Sequence, residues 1–174
     1  GKQFVPGKLY QYANAAPATW TLKVNGKPVE MKVEKGFTVI ERTWKRGDQV
    51  ELNLPMPVRL NTCHPTGEAN HDRVALRRGP FVLCAEGVDN GGVTERYFFD
   101  QLPKVTGASV KTLSIESGSF IQTTVPARAL TAAGGAESQP LVLTPYYAWN
   151  NRGPSSMTVW FPRKKAMAVY DPLA

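Results

Sequence analysis

Apolar and polar residues alternate along much of the chain. Trp20, Leu22 and Val24 alternate with Thr21 and Lys23, Val29, Met31 and Val33 with Glu30 and Lys32, and Val50, Leu52 and Leu54 with Glu51 and Asn53. A period of two puts one face of each strand in a core and the other in water. Turn formers separate these runs: Asn25-Gly26, where both residues tolerate positive φ, then Glu34-Lys35-Gly36 and Lys45-Arg46-Gly47-Asp48. The pattern predicts a meander from about Thr19 to Leu60, with one strand over Phe37 to Trp44, and with Pro55 and Pro57 ending regular pairing or marking an edge. Residues 61–72 read as a loop and as the best domain boundary. Two strands are expected around Arg78-Gly79-Pro80, and the continuous apolar run Phe81-Val82-Leu83-Cys84 predicts cover on both faces. Further strands are expected near 96–100, 109–116, 119–125, 140–147, 156–161 and 166–170, whereas the Ala-rich residues 126–136 read as a loop or one helical turn. Near the start, Phe4, Val5, Leu9, Tyr10 and Tyr12 are too apolar for a simple linker and suit an edge strand, or the stub of a sheet whose other strands lie elsewhere.

The fold class that follows is all-β, an antiparallel β-sandwich in two small modules. The first spans 1–66, is short on its N-terminal side, and has the tail 163–174 available to complete it; the second spans 67–162. Fourteen prolines and fifteen glycines leave little room for long helices. With 174 residues, 42% of them hydrophobic, the chain can bury a core without metal or disulfide staples. Charge, Pro or Gly interrupts every stretch of membrane length, so no membrane insertion is expected. The 21 basic residues exceed the 14 acidic ones, for a net charge of +7. They are spread out, with tight runs only at Lys45-Arg46, Arg77-Arg78 and Arg163-Lys164-Lys165, and so lack the clustered stripe of a nucleic-acid binder. The chain has neither an initiating Met nor a signal segment, which points to a processed chain or a piece of a larger one.

Catalytic and metal chemistry find little footing. Cys63, His64, His71 and Cys84 are the soft ligands, and their spacing fits no zinc pattern. Cys63 and Cys84 could pair or remain thiols. His64 or His71 would have to serve as the base of a nucleophilic site, yet no Gly-x-Ser-x-Gly elbow and no phosphate-cradling glycine loop occurs. Glu86 and Asp89 could act as a glycosidase pair, but strand-end carboxylates at a turn explain them as well. No catalytic residue and no metal ligand is therefore assigned. The most unusual stretch is Pro145-Tyr146-Tyr147-Ala148-Trp149-Asn150-Asn151-Arg152-Gly153. Tyr146, Tyr147 and Trp149 could stack on sugar faces while Asn150, Asn151 and Arg152 bond hydroxyls. The reading preferred here is that the aromatics fill a core or an interdomain seam and that Arg152 ties down carbonyls or a carboxylate.

Three ordered stretches resemble glycoside hydrolase family 127, the bacterial β-L-arabinofuranosidase-like family. The first is Asn25-Gly26 with Arg42-Thr43-Trp44-Lys45-Arg46-Gly47-Asp48-Gln49-Val50-Glu51-Leu52 and Leu54-Pro55-Met56. The second runs from Arg73 to Glu86 and continues at Asp89-Asn90. The third runs from Pro145 to Gly153 and continues at Met157-Thr158-Val159-Trp160. The resemblance covers about residues 20 to 162 and implies the β-sandwich region that follows a helical catalytic barrel. In that family the barrel carries the cysteine nucleophile, the zinc ligands and the acid, so the resemblance implies no cofactor and no catalytic residue in this chain. The implied partners are the barrel of the parent chain, a second copy of the chain and, on the sugar-platform reading, a plant-type glycan. The implied location is periplasmic or extracellular. Without a barrel to cover it, an apolar face of the sandwich is expected to drive self-association or strand swapping.

Overall fold

A computed structural model describes residues 9–14, 19–102, 105, 108–116 and 118–171. The expected strand residues Phe4 and Val5 lie outside that range. In chain order the strands are β1 (Tyr10–Tyr12), β2 (Thr21–Val24), β3 (Lys27–Pro28), β4 (Lys32–Glu34), β5 (Phe37–Val39), β6 (Val50–Asn53), β7 (Val58–Cys63), β8 (Arg73–Arg78), β9 (Phe81–Glu86), β10 (Tyr97–Phe98), β11 (Ser109–Ile115), β12 (Gly118–Leu130), β13 (Ala136–Pro145), β14 (Met157–Thr158) and β15 (Trp160–Pro162). Every strand pairing is antiparallel. The chain forms two compact units, one from residues 19–57 and one from residues 9–14 and 58–171 of the described chain. Strand β7, which the sequence reading assigns to the first module, pairs with β8 in the second unit. The tail belongs there too: the Arg163 amide donates to the Asp72 carbonyl, and the Val169 amide to that of Glu95.

The first unit holds the sheet β3-β2-β6 and the separate hairpin β4-β5. Asn25 and Gly26 take φ of 51° and 75° at the β2–β3 turn, as that dipeptide should. Leu22 faces Leu52 and Val24 faces Val50 across the β2–β6 ladder, so the four side chains share one side of the sheet. Leu22 and Val24 are buried, but Val50 and Leu52 stay about half exposed, and Leu54 follows at 58%. Two small sheets cannot cover that stripe. The long strand expected over Phe37 to Trp44 stops at Val39, where its ladder with β4 ends.

Asp48 fastens this unit. One carboxylate oxygen accepts from Asn25 Nδ2 at 2.8 Å, the other accepts the Lys45 amide at 2.9 Å and lies 3.3 Å from Arg42. Asn25 Oδ1 in turn accepts the Gln49 amide at 2.9 Å. The Asn25 hydrogen bond is the main cause that holds the Asp48 carboxyl below its usual range, with the Lys45 amide next and Arg42 contributing less. A depressed carboxylate pKa stabilises the fold above the unfolded value of about 4 and ceases to do so as pH falls through the folded value. Asp48→Asn is therefore expected to flatten the acid limb of the stability curve, measured by denaturant melts between pH 5 and pH 2.

The second unit is a sandwich of two layers. One layer runs β1-β7-β8-β15; the other runs β14-β9-β13-β12, with β10 and β11 both on β12. The β8–β9 hairpin joins them, pairing only at Arg77↔Val82 and Arg78↔Phe81 before each strand enters its own layer. The core lies between the layers and includes Leu60, Val74 and Leu76 from one and Leu83, Val125, Leu141 and Leu143 from the other. Phe161 meets Phe99 edge-on at 5.9 Å within it. Residues 126–136, expected to be loop or helix, instead extend β12 and open β13 around a turn at 131–135. Pro126 faces Pro140 in that ladder. Neither can donate, and among the described residues neither has a strand on its other side at that level, so both are tolerated.

Candidate functional site

Strand β9 ends at Glu86, and the chain turns through a 3₁₀ segment, Gly87–Asp89. Gly87 is needed for packing: a Cβ there would sit 2.6 Å from the Gly92 carbonyl oxygen and under 3 Å from the hydroxyls of Ser155 and Ser156. Asn90, 2% exposed, ties the turn to β13. Its Nδ2 donates to the carbonyls of Glu86 and Val142, and its Oδ1 accepts the Val142 amide at 3.0 Å. Ser155 Oγ accepts the Val88 amide at 2.9 Å, and Ser156 Oγ donates to the Gly92 carbonyl at 2.8 Å.

The aromatic motif follows β13. Residues Tyr146–Ala148 form a 3₁₀ turn, and the Trp149 amide donates to the Tyr146 carbonyl. Asn150 adopts a left-handed φ of 64°, a conformation asparagine tolerates better than most side chains. Its amide donates to Glu86 Oε1 at 3.1 Å. Arg152 then reaches back: Nη2 donates to Glu86 Oε2 at 2.5 Å and lies 2.7 Å from Asp89 Oδ2, while Nη1 donates to Asp89 Oδ1 at 2.7 Å. Gln122 Nε2 donates to Asp89 Oδ2 at 2.9 Å. Hydrogen bonding by Asp89 leads the causes that raise the Arg152 pKa, against a partly opposing loss of solvation.

This arrangement is a brace. Both oxygens of Glu86 are occupied and the side chain is fully buried. Glu86 and Asp89 share one guanidinium. The expectation that Arg152 ties down a carboxylate is met by two. The aromatics it anchors do not fill the core of this chain: Ala148 is buried, but Tyr146, Tyr147 and Trp149 are 47%, 62% and 41% exposed. Tyr146 and Trp149 stack with planes 17° apart and centroids at 6.2 Å, and Tyr147 leans on Phe81 at 5.4 Å. Asn150 and Asn151 are exposed beside them. Asn90 and Gln122 belong to the brace and escape a reading by motif, because Val142, which Asn90 bonds, lies 52 residues away and Asp89, which Gln122 bonds, lies 33 away.

The remaining candidates stay apart. His64 Nδ1 pairs with Thr66 Oγ1 at 2.8 Å, and exposed His71 lies 3.7 Å from Asp72. Among the described residues no three His, Cys, Asp or Glu side chains gather in a way that could hold a metal ion. Cys63 and Cys84 are both free thiols. Burial, helped by nearby Glu86, pushes the Cys84 thiol up to about 12. The thiolate is the reactive form of a cysteine, and burial disfavours it at Cys84 in the folded chain. Cys84 is expected to resist a neutral-pH thiol reagent in the native chain, with Cys63 reacting first and Cys84 only on unfolding, as a titration of released chromophore would read.

Residues 58–162 match the glycoside hydrolase family 127 C-terminal domain, and residues 12–56 match the middle domain of GH127 beta-L-arabinofuranosidase. The chain is 30% identical over 159 residues to the non-reducing end beta-L-arabinofuranosidase of Bifidobacterium longum subsp. longum, covering 82% of this chain and 24% of that protein. A solved structure of a GH127 beta-arabinofuranosidase superposes with a TM-score of 0.78 at 36% identity, over 94% of this chain and 26% of the other. A GH127 beta-L-arabinofuranosidase from Geobacillus stearothermophilus T6 superposes at 0.67 and 32% identity, over 84% and 25%. The chain thus spans about a quarter of the length of these relatives.

Proposed function

The chain belongs to glycoside hydrolase family 127, of which it carries the middle and C-terminal domains, and on that premise we propose that it is a non-catalytic sandwich region that buttresses the catalytic barrel of a larger β-L-arabinofuranosidase-like enzyme. The observation that carries this reading is an aromatic surface that is exposed yet rigidly mounted: Tyr146, Tyr147 and Trp149 stand on a backbone fixed by the buried Arg152 brace. Large aromatics held in place are the side chains that dominate protein interfaces. In this reading the barrel covers them and holds the enzyme's zinc and its catalytic groups. The open stripe of Val50, Leu52 and Leu54 is a second apolar surface, suited to the parent chain or to a second copy. Sedimentation of the isolated chain should then show concentration-dependent association, and a strict monomer throughout would remove the stripe from the account.

The near-parallel rings of Tyr146 and Trp149 favour one other reading, a carbohydrate-binding module. Calorimetry of the isolated chain against arabinose-containing and other plant polysaccharides separates the two. No binding at millimolar sugar supports the buttress. Saturable binding that disappears in Trp149→Ala, with the melting temperature unchanged, supports the binding module and overturns the buttress.

A further inference from the structure

On the outer face of the layer β1-β7-β8-β15, ladder register places Tyr10, Tyr12, Arg59, Asn61, Arg73, Arg77 and Trp160 on one side, opposite the core residues Leu60, Val74 and Phe161. Arg59 faces Arg77 directly across the β7–β8 ladder. Their Cβ atoms are about 5 Å apart, close enough for both guanidinium groups to meet one ligand, and Arg77 Nη2 also lies 3.5 Å from the Pro80 carbonyl oxygen. Arg73 lies on the same face about 13 Å farther along β8, at four strand residues' rise. The guanidinium of Arg59 lies 3.7 Å from the Tyr12 ring centroid and donates to the Asn14 carbonyl at 3.0 Å. Arg73 donates to the Trp160 carbonyl at 3.2 Å. These bonds go to backbone oxygens and leave part of each five-donor fork over. The rings of Tyr10 and Trp160, from the two edge strands of the layer, stack at 5.8 Å. The paired residues of this face include no Asp or Glu.

We propose that this face binds an acidic polysaccharide, a uronate-bearing chain whose carboxylates meet Arg59, Arg77 and Arg73 while its sugar rings lie against Tyr10 and Trp160. Guanidinium forks match carboxylates in geometry as well as charge. Aromatic rings offer the apolar surface that sugar faces pack on, which an acidic peptide uses less. The spacing from the Arg59–Arg77 pair to Arg73 suits an oligomer that bridges both and not a single sugar. The site uses no side chain of the aromatic motif at 146–149 and does not depend on the buttress reading.

The test is calorimetric titration of the isolated chain with an oligogalacturonate, against galacturonate monomer, a neutral arabinan oligomer and polyglutamate. Saturable binding of the oligogalacturonate is expected, weaker with salt. The monomer and the arabinan should bind far less. Arg73→Gln and Arg77→Gln, each checked by its melting curve, should each weaken binding by about tenfold, equivalent to about 1.4 kcal/mol. Absence of binding by folded protein at low salt overturns the proposal. So does equal binding of polyglutamate, which would assign the face to an acidic polypeptide, or binding that survives both substitutions in folded variants.

Discussion

Arg152→Ala is expected to lower the stability of the second unit by about 3–5 kcal/mol, the usual cost of stranding a buried partner charge. Glu86 is fully buried and Asp89 mostly so, with side chains 0% and 18% exposed, and both depend on the one guanidinium. Removing it leaves two acids side by side, one of them with no access to water. Arg152→Lys should recover only part of the loss, because an ammonium cannot present two parallel N–H bonds to Asp89 while also reaching Glu86. Glu86→Gln should cost less than Arg152→Ala, since it leaves the Arg152–Asp89 pair intact and nearly isosteric contacts to Asn150. Thermal melts followed by near-UV circular dichroism would read the order. A drop of roughly 10 °C or more is expected for Arg152→Ala. Equal melting curves for Arg152→Ala and the parent sequence would mean that the brace does not support the fold.

The second large effect concerns association. If these aromatics face a catalytic barrel as proposed, Tyr147→Ser with Trp149→Ser is expected to weaken binding of this chain to that barrel by about thirtyfold or more, at least 2 kcal/mol, as interface aromatics do. The melting temperature should move little. A Trp in a filled core costs about 3–5 kcal/mol on truncation. Trp149 is 41% exposed and keeps one stacked neighbour, Tyr146, a contact worth about 1 kcal/mol. A loss of stability as large as a core truncation, or unchanged association, would each contradict the interface assignment.

Much of the fold was legible in the sequence because period-two patterning and turn chemistry are local. Asn25-Gly26 announced its turn, and the runs at Thr21–Val24 and Val50–Asn53 became paired strands. Extent and cover were less legible. The Ala-rich residues 126–136 carry no period-two alternation, yet they extend β12 and open β13 in one long hairpin in which Pro126 faces Pro140. Val50, Leu52 and Leu54 had the pattern of core residues but stay half exposed, because alternation says which face is apolar and not what covers it. At the site, Arg152 and its need for a carboxylate could be anticipated. That the partners would be Glu86 and Asp89, some sixty residues earlier, could not. Asn90 sits in the run of turn formers Asp89-Asn90-Gly91-Gly92, and only the packed structure shows it bonded to β13.

The proposed buttress role is tested most directly by producing this chain and, separately, the catalytic barrel proposed to accompany it, and by measuring arabinofuranoside hydrolysis by each alone and by the mixture. A buttress role predicts no turnover by this chain, weak or short-lived activity from the proposed barrel alone, and recovery on mixing that Tyr147→Ser with Trp149→Ser abolishes. Turnover by this chain alone, or a barrel equally active and stable without it, would contradict that role.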